Sequence, residues 1–357
     1  MRPLPIAVLL TLLTSVGAAA PEPTRDAFLN LLDRPRVDPA VQFSHDGSRF
    51  SFMSEKDERV PALLVKPTTK PTAPAQERRP VVIALHGTGG RKESQLPVLR
   101  ALAERGFLAI AIDARHHGER TKAGKGSDEY QQAILRAWRE GGRDPGTRGD
   151  AQASRRTYPF FYDTVWDVMR LIDYLETRDD VDPQRIGLIG TSKGGIETYL
   201  AAAADERIAA AVPCIGVQSF RWALEHDAWQ SRIGTIRTAF DTAAKEAGVA
   251  APGATFVAKF YDRVAPGLAG EFDGPAMLPL IAPRPLLVIN GDSDDRTPLS
   301  GLKLCSDAAK AAYDKVGATD RFVVRIQENT GHKVTPESQQ AAIEWLVTVL
   351  HPVAVPK

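Results

Sequence analysis

Residues Gly190-Thr191-Ser192-Lys193-Gly194 spell G-x-S-x-G between an apolar run, Ile186-Gly187-Leu188-Ile189, and an alanine-rich stretch from Gly195 to Ala204. A strand, a Gly-flanked serine and a helix are the parts of a turn that lifts one hydroxyl above the end of a sheet. A serine held in a strained backbone brings its neighbours too close, so the positions two before and two after it must be small. Here they are Gly190 and Gly194. The pentapeptide alone also fits an ordinary glycine turn; the strand before it and the helix after it mark Ser192 as a candidate nucleophile.

Hydrolases that use such a turn place the acid and then the histidine later in the chain, on loops that follow strands. Three histidines follow Ser192. His226 lies in the helical-looking stretch Ser219 to His226, and His351 in the terminal Leu350-His351-Pro352, so neither suits a base held over the turn. His332 follows the apolar-rich strand Phe322-Val323-Val324-Arg325-Ile326 and a short loop. The acid belongs after the preceding strand, Pro285 to Asn290, whose near-continuous apolar run fits burial on both faces. Three carboxylates compete in the loop Gly291-Asp292-Ser293-Asp294-Asp295-Arg296-Thr297-Pro298. The G-x-x-D-x-x-x-P spacing resembles the acid loop of many such hydrolases, which points to Asp294, with Asp292 as the substitute; Asp292 can also brace the turn, and Asp295 can pair with Arg296.

A serine hydroxyl is a weak nucleophile, so His332 must take its proton during attack on a carbonyl and later return it to the leaving group, while Asp294 holds the imidazole tautomer. The oxyanion formed by that attack needs two donors. The backbone N–H of Lys193, next to the nucleophile, is one. The other is expected from the loop His86-Gly87-Thr88-Gly89-Gly90, after the strand Pro80 to Leu85, with Thr88 preferred and Gly87 the alternative. This loop lacks the ending of a phosphate-binding P-loop and does not fit a dinucleotide fingerprint. His86 precedes the nucleophile and reads as a structural hydrogen-bonding residue.

Elsewhere strands and helices alternate. Phe107 to Ile112 reads as a buried strand, and Val165, Val168, Met169, Ile172 and Leu175 recur at helical spacing before the turn. Alternation of this kind implies a mostly parallel, doubly wound sheet with ligands at the carboxyl ends of its strands. Lys66 to Arg79 reads as a connecting loop. Two insertions should shape a pocket. One runs from Asp113-Ala114-Arg115-His116-His117 through the polar segment Arg139 to Arg156 to Tyr158-Pro159-Phe160-Phe161-Tyr162. Adjacent histidines in an extended chain point to opposite sides, so no metal site is expected there, and Asp113 and Arg115 are read as ties within the loop. The other insertion, about 217–283, carries Phe220, Trp222, Trp229, Phe240, Phe256, Phe260 and Tyr261 and reads as a helical cap. Most of these aromatics are expected to pack the cap on the core, while Trp222 and the Lys193 side chain are candidates to line the pocket.

Together the His86-Gly87 loop, the serine turn, the Asp294 loop and the His332 loop resemble the α/β-hydrolase superfamily over nearly the whole chain beyond its first forty or so residues. Val60 to Pro67, His86 to Gly90 and Ser192-Lys193-Gly194-Gly195 are similar to the branch of dienelactone hydrolases, acetyl xylan esterases and prolyl oligopeptidase catalytic domains. The resemblance implies an α/β-hydrolase fold with a doubly wound, mostly parallel eight-stranded sheet and a helical cap insertion, and no cofactor. Dienelactone hydrolases use cysteine where Ser192 stands, and prolyl oligopeptidases carry a propeller for which fewer than ninety residues before His86 leave no room. Glucuronoyl esterases resemble G-C-S-R-x-G-K at the elbow, against Gly190-Thr191-Ser192-Lys193-Gly194-Gly195 here. The expectation is a serine hydrolase of carboxylic esters, such as acetyl or feruloyl esters of carbohydrates. A peptidase or acyltransferase with the same triad is the alternative, and a binding protein on the same fold comes last.

The chain has 357 residues with 45 basic and 44 acidic side chains, a balance that supplies no field for nucleic acid or anionic membranes. Met1-Arg2, the apolar Ile6 to Val16 and the small residues Gly17 to Ala20 are the three parts of a secretory signal, too short an apolar run to span a bilayer comfortably. The expected organisation is therefore a signal peptide, 1–20, and one catalytic domain, 21–357, exported to the periplasm or outside the cell. Only Cys214 and Cys305 occur, and both read as buried thiols whose pairing the sequence leaves open, as it does the oligomeric state.

Overall fold

The computed structural model describes residues 23–67, 78–122, 127–141 and 157–350. The expected signal peptide, most of the connecting loop 66–79, most of the polar segment 139–156, and His351 lie outside them. Nine strands form one sheet: β1 (Gln42–Phe43), β2 (Arg49–Glu55), β3 (Glu58–Val65), β4 (Arg79–Leu85), β5 (Leu108–Ile112), β6 (Val181–Thr191), β7 (Ile208–Cys214), β8 (Leu286–Gly291) and β9 (Phe322–Gln327). Their spatial order is β1-β2-β3-β5-β4-β6-β7-β8-β9. Pairing is antiparallel from β1 to β5 and parallel from β5 to β9. The expected eight strands are β2 to β9. The ninth, β1, is two edge residues, too short to carry a period of its own.

The helices are α1 (Pro23–Leu32), α2 (Leu96–Glu104), α3 (Ser127–Glu140), α4 (Tyr162–Leu175), α5 (Lys193–Ala204), α6 (Phe220–Glu225), α7 (Gln230–Ile233), α8 (Arg237–Glu246), α9 (Ala254–Val264), α10 (Gly274–Met277), α11 (Leu299–Lys315) and α12 (Pro336–Leu350). They cover both faces of the sheet. Alternate residues of β4 point to opposite sides. Val81, Ile83 and Leu85 join the core beneath α1, α4, α5 and α11, while Val82 and Ala84 join the core beneath α2 and α12. This two-sided burial explains the unbroken apolar runs in β4, β5 and β8. Strand β9 pairs only with β8, and its Val323, Val324 and Ile326 are exposed. Every residue of α5 is buried; its run Ala201 to Ala204 lets the helix pack closely against the sheet.

Charged residues buried under the antiparallel side are joined in a network. Arg34 pairs with Glu55 at 3.1 Å and with Asp163; Arg115 pairs with Glu55 and, at 3.0 Å, with Asp167. Arg120 reaches Asp167 at 2.6 Å. Lys92, fully buried, sets its Nζ 2.8 Å from Asp113, whose other oxygen accepts the Lys92 backbone N–H at 2.8 Å. Asp113 and Arg115 thus tie the loop after β5, as the sequence led us to expect.

Helices α6 to α10 lie between β7 and β8. Trp138 of α3 packs on Phe256 and Phe260 of α9 at ring-centroid distances of 5.5 and 5.7 Å, and Phe240 of α8 meets Phe256 at 5.4 Å. Phe240, Phe256, Phe260 and Tyr261 are all buried. Each fully buried aromatic or aliphatic side chain is worth about 1.5–3 kcal/mol relative to exposure. Cys214 and Cys305 are both buried and free, and burial pushes the Cys214 thiol up to about 12.

Candidate active site

Strand β6 runs straight into α5 with one residue, Ser192, between them. Its φ of +58° and ψ of −115° put a non-glycine residue in a region that side chains rarely adopt, the strain expected of an elbow. The surrounding glycines are compelled by contact. A Cβ on Gly190 would lie 2.2 Å from the Gly194 carbonyl oxygen, and one on Gly194 would lie 2.4 Å from that of Leu85. The turn is pinned by the Ser192 N–H, which donates to the Cys214 carbonyl on β7 at 2.9 Å.

Ser192, Asp294 and His332 meet. Ser192 Oγ is 2.8 Å from His332 Nε2, and His332 Nδ1 is 2.8 and 3.0 Å from the two oxygens of Asp294. A carboxylate can only accept, so the His332 proton sits on Nδ1 and leaves Nε2 free to take the serine proton. Asp294 also accepts the Thr297 hydroxyl at 2.6 Å and the Arg296 N–H at 2.9 Å. Burial raises the carboxyl, but the hydrogen bonds from His332 and Thr297 outweigh it and hold Asp294 below the usual carboxylate range. Thr297 is itself held, since its backbone carbonyl accepts Asn290 Nδ2 at 2.9 Å and its hydroxyl lies 2.7 Å from Asn290 Oδ1.

Asp292 plays the bracing part. It accepts the N–H of Asn329 at 2.8 Å and of Thr330 at 3.0 Å, lacing the loop after β8 to the loop after β9. Gly291 allows this closeness, because a Cβ there would sit 2.0 Å from the Thr330 carbonyl oxygen. No ion pair joins Asp295 to Arg296 among the described residues; Arg296 instead turns to the pocket.

The loop after β4 borders the same pocket. A Cβ on Gly87 would lie 3.2 Å from the Thr191 carbonyl oxygen and 3.4 Å from Ser192 Cβ, so this backbone passes directly over the elbow. Thr88 lines the pocket with Ser192 and Lys193. Lys193 opens α5, and first-turn N–H groups have no acceptor within their helix. His86 links two loops: Nδ1–H donates to the Gly87 carbonyl at 2.8 Å, and Nε2 accepts the Ala114 N–H at 3.1 Å. Burial lowers it to about 4, so the ring is neutral.

The pocket encloses about 40 Å³ between these loops and the helices that follow β7. Lys193 lines it, and its Nζ is engaged by Glu197 one helical turn on and lies 5.7 Å from the Tyr130 ring centroid. Trp222, expected here, is turned away. It stacks on His226 at 4.6 Å, faces Gly301 of α11 and is not among the lining residues; Phe220 lines the pocket in its place. Residues two apart on a helix leave it in nearly opposite directions, so the aromatic content of α6 identified the element and not the side chain. Phe160, Phe161, Gln218 and Arg232 also line it. Among the described residues no group of three or more His, Cys, Asp or Glu is placed to hold a metal ion; His117 Nδ1 is 2.7 Å from the Arg115 carbonyl oxygen.

Comparison with known proteins agrees with this geometry. A family model described as acetyl xylan esterase (AXE1) matches residues 44–227, just over half of the chain, and one described as glucuronyl esterase of fungi matches residues 154–317. "Putative hydrolase YtaP" of Bacillus subtilis (strain 168) is 28% identical over 302 residues, covering 81% of this chain and 83% of the relative. "Putative esterase YitV" of the same organism is 27% identical over 280 residues, covering 76% and 89%. Among solved structures, acetyl xylan esterase 1 from Thermoanaerobacterium sp. JW/SL YS485 superposes with a TM-score of 0.58 at 18% identity, covering 92% of this chain and 94% of its own, a likeness of α/β-hydrolase fold.

Proposed function

We propose a function from one premise: this chain belongs to the acetyl xylan esterase (AXE1) family. It is a carboxylic ester hydrolase. In our reading Ser192 is its nucleophile, His332 the general base and acid, and Asp294 the group that orients the imidazole. One observation carries this: Ser192 Oγ, His332 and Asp294 form a continuous line of hydrogen bonds at 2.8 Å per contact on the wall of a pocket.

The chemistry runs in two halves. His332 Nε2 takes the Ser192 proton as Oγ bonds to the ester carbonyl carbon, and the carbonyl oxygen becomes an oxyanion facing the N–H groups of Lys193 and Thr88. Collapse breaks the bond to the alcohol oxygen, which receives the proton from His332 and leaves, with the acyl group on Ser192. Water, deprotonated by His332, then attacks the acyl carbon, and the second collapse returns the proton to Ser192 and releases the acid. Each oxyanion donor is worth about 2.7–4 kcal/mol of barrier. The family and the small pocket support acetyl or other small acyl esters of carbohydrates as substrates. Residues 1–20 act as an export signal in this reading, placing the enzyme in the periplasm or outside the cell, which N-terminal sequencing of the exported protein checks.

The deciding assay runs nitrophenyl acetate and butyrate, acetylated xylan and aminoacyl anilides on the wild type and on Ser192→Ala. Ester turnover that falls by about 10⁴-fold or more in the variant is expected. Anilide cleavage without ester cleavage would overturn the substrate class in favour of a peptidase, and ester turnover surviving in the variant would overturn the mechanism.

A further inference from the structure

Arg232, on α7, is one of four arginines buried among the described residues, the others being Arg34, Arg115 and Arg170. Those three face carboxylates: Arg34 has Glu55 and Asp163, Arg115 has Glu55 and Asp167, and Arg170 has Asp173. Arg232 faces none. Its Nε donates to Ser231 Oγ at 3.1 Å, and among the described residues neither of its Nη groups has a hydrogen-bond partner. Asp294 is the one carboxylate whose charge is felt at Arg232, and its oxygens are taken by His332, Thr297 and the Arg296 N–H.

The guanidinium is held in place. It sits over the Phe220 ring, 5.7 Å from the centroid, and the Arg232 carbonyl accepts the buried Tyr261 hydroxyl at 2.7 Å. The same pocket is lined by Gln218, only 1% exposed, whose amide nitrogen and oxygen are both buried without a partner. Buried polar groups are almost always satisfied, and unpaired charges more strictly still. A guanidinium with free Nη groups and a buried, unpartnered amide, lining one pocket with a serine and a histidine in hydrogen-bond contact, call for an occupant. It must be anionic to answer Arg232 and must accept from a neutral N–H to answer Gln218. It must also be small: the 40 Å³ enclosed is room for about three waters.

We propose that Arg232 and Gln218 form a subsite for a carboxylate carried by the ester substrate, with exposed Arg296 at the rim adding attraction for anions. The Arg232 fork takes the two carboxylate oxygens and Gln218 Nε2 donates to one of them. Burial, with the like charge of Arg296 adding to it, holds Arg232 down to about 10, a cost that a bound anion reverses. The proposal rests on Ser192 being the nucleophile of this same pocket, and it narrows the substrates to acidic esters.

Two matched pairs test it on either side of the scissile bond: monomethyl fumarate against methyl crotonate, where a methyl replaces the carboxylate, and 3-acetoxybenzoate against its methyl ester. The wild type is expected to favour the acid in at least one pair by tenfold or more in kcat/KM. Arg232→Met brings that ratio to about one, and Arg232→Lys restores part of it; because each ratio is internal, general damage to the enzyme cancels. Calorimetric titration of Ser192→Ala with the acid of the favoured pair should give binding that Ser192→Ala/Arg232→Met lacks. A wild type that turns over both members of both pairs without preference would overturn the subsite and leave the esterase reading intact. Equal losses on acid and neutral esters in Arg232→Met, which leave the wild-type ratio unchanged, would also overturn it. Failure of the wild type on all four esters and of the nitrophenyl esters would strike the esterase reading itself.

Discussion

Buried arginines in two parts of this molecule serve opposite ends. Under the antiparallel side of the sheet, Arg34 and Arg115 are enclosed with Glu55, Asp163 and Asp167, and each charge has its counterpart within the chain. In the helical insertion after β7, Arg232 is equally enclosed and has none. A charge removed from water costs several kcal/mol in either place, and only in the first does the fold itself repay it. A self-satisfied network stabilises the folded chain; a charge left open marks where the chain meets something else.

The largest effect that can break this contrast is on stability. Arg115→Ala leaves buried Glu55 with Arg34 alone and buried Asp167 with Arg120 alone, and breaking a buried pair from one side costs about 3–5 kcal/mol, read from denaturant unfolding. A cost below about 1 kcal/mol would show that the network is not structural. Acid sharpens the same point. For Asp163 and Asp167, burial raises the carboxyl, but the charges of Arg34 and Arg115 on the first and of Arg115 and Arg120 on the second outweigh it, so both are held below their ordinary values. A depressed folded pKa gives stability that is present above the unfolded value, about 3.9, and lost as pH falls below it. Unfolding free energy should therefore decline between about pH 4 and pH 2, and a flat profile in that window would refute the pairing.

Smaller effects follow at the site. Thr297→Val removes the hydroxyl that donates to Asp294, leaving a buried acceptor short of one partner; about 1–3 kcal/mol, or roughly ten- to hundredfold in kcat with little change in KM, is expected. Last comes Arg232→Met. An apolar replacement of a buried charge is often neutral or stabilising, so its unfolding free energy should drop by no more than about 1 kcal/mol, against the loss at Arg115. A drop as large as that at Arg115 would mean Arg232 is structural after all.

That Ser192, Asp294 and His332 meet was legible in the sequence because each sits at the carboxyl end of a strand whose apolar run can be read locally, and because the positions of the other histidines set them aside. Gly190 was legible for a related reason, since it answers a contact within its own turn, whereas the contact that requires Gly194 is with Leu85 at the end of β4. What remained hidden was set by packing between distant segments. Nothing local separates Arg232 from a surface arginine, since its burial comes from Phe220 and Tyr261, twelve residues before it and twenty-nine after. The partners that Asp292 braces, the N–H groups of Asn329 and Thr330, likewise come into view only once the loop after β9 is laid against the loop after β8. Trp222 failed as a pocket residue because which side of α6 faces the serine depends on α11, whose Gly301 lies 79 residues on. The two-residue β1 had no pattern to read.

Gly216 has a consequence for anyone who would re-engineer this enzyme. A Cβ there would lie 2.7 Å from both the Ser192 carbonyl oxygen and the Ile196 N, so the first joint of the helical insertion leans on the backbone of the elbow, whereas its second joint ends in β8, whose following loop carries Asp294. A graft that exchanges the insertion for another should cut after Gly216. With that seam kept, recognition can be replaced wholesale while the reacting groups stay where they are.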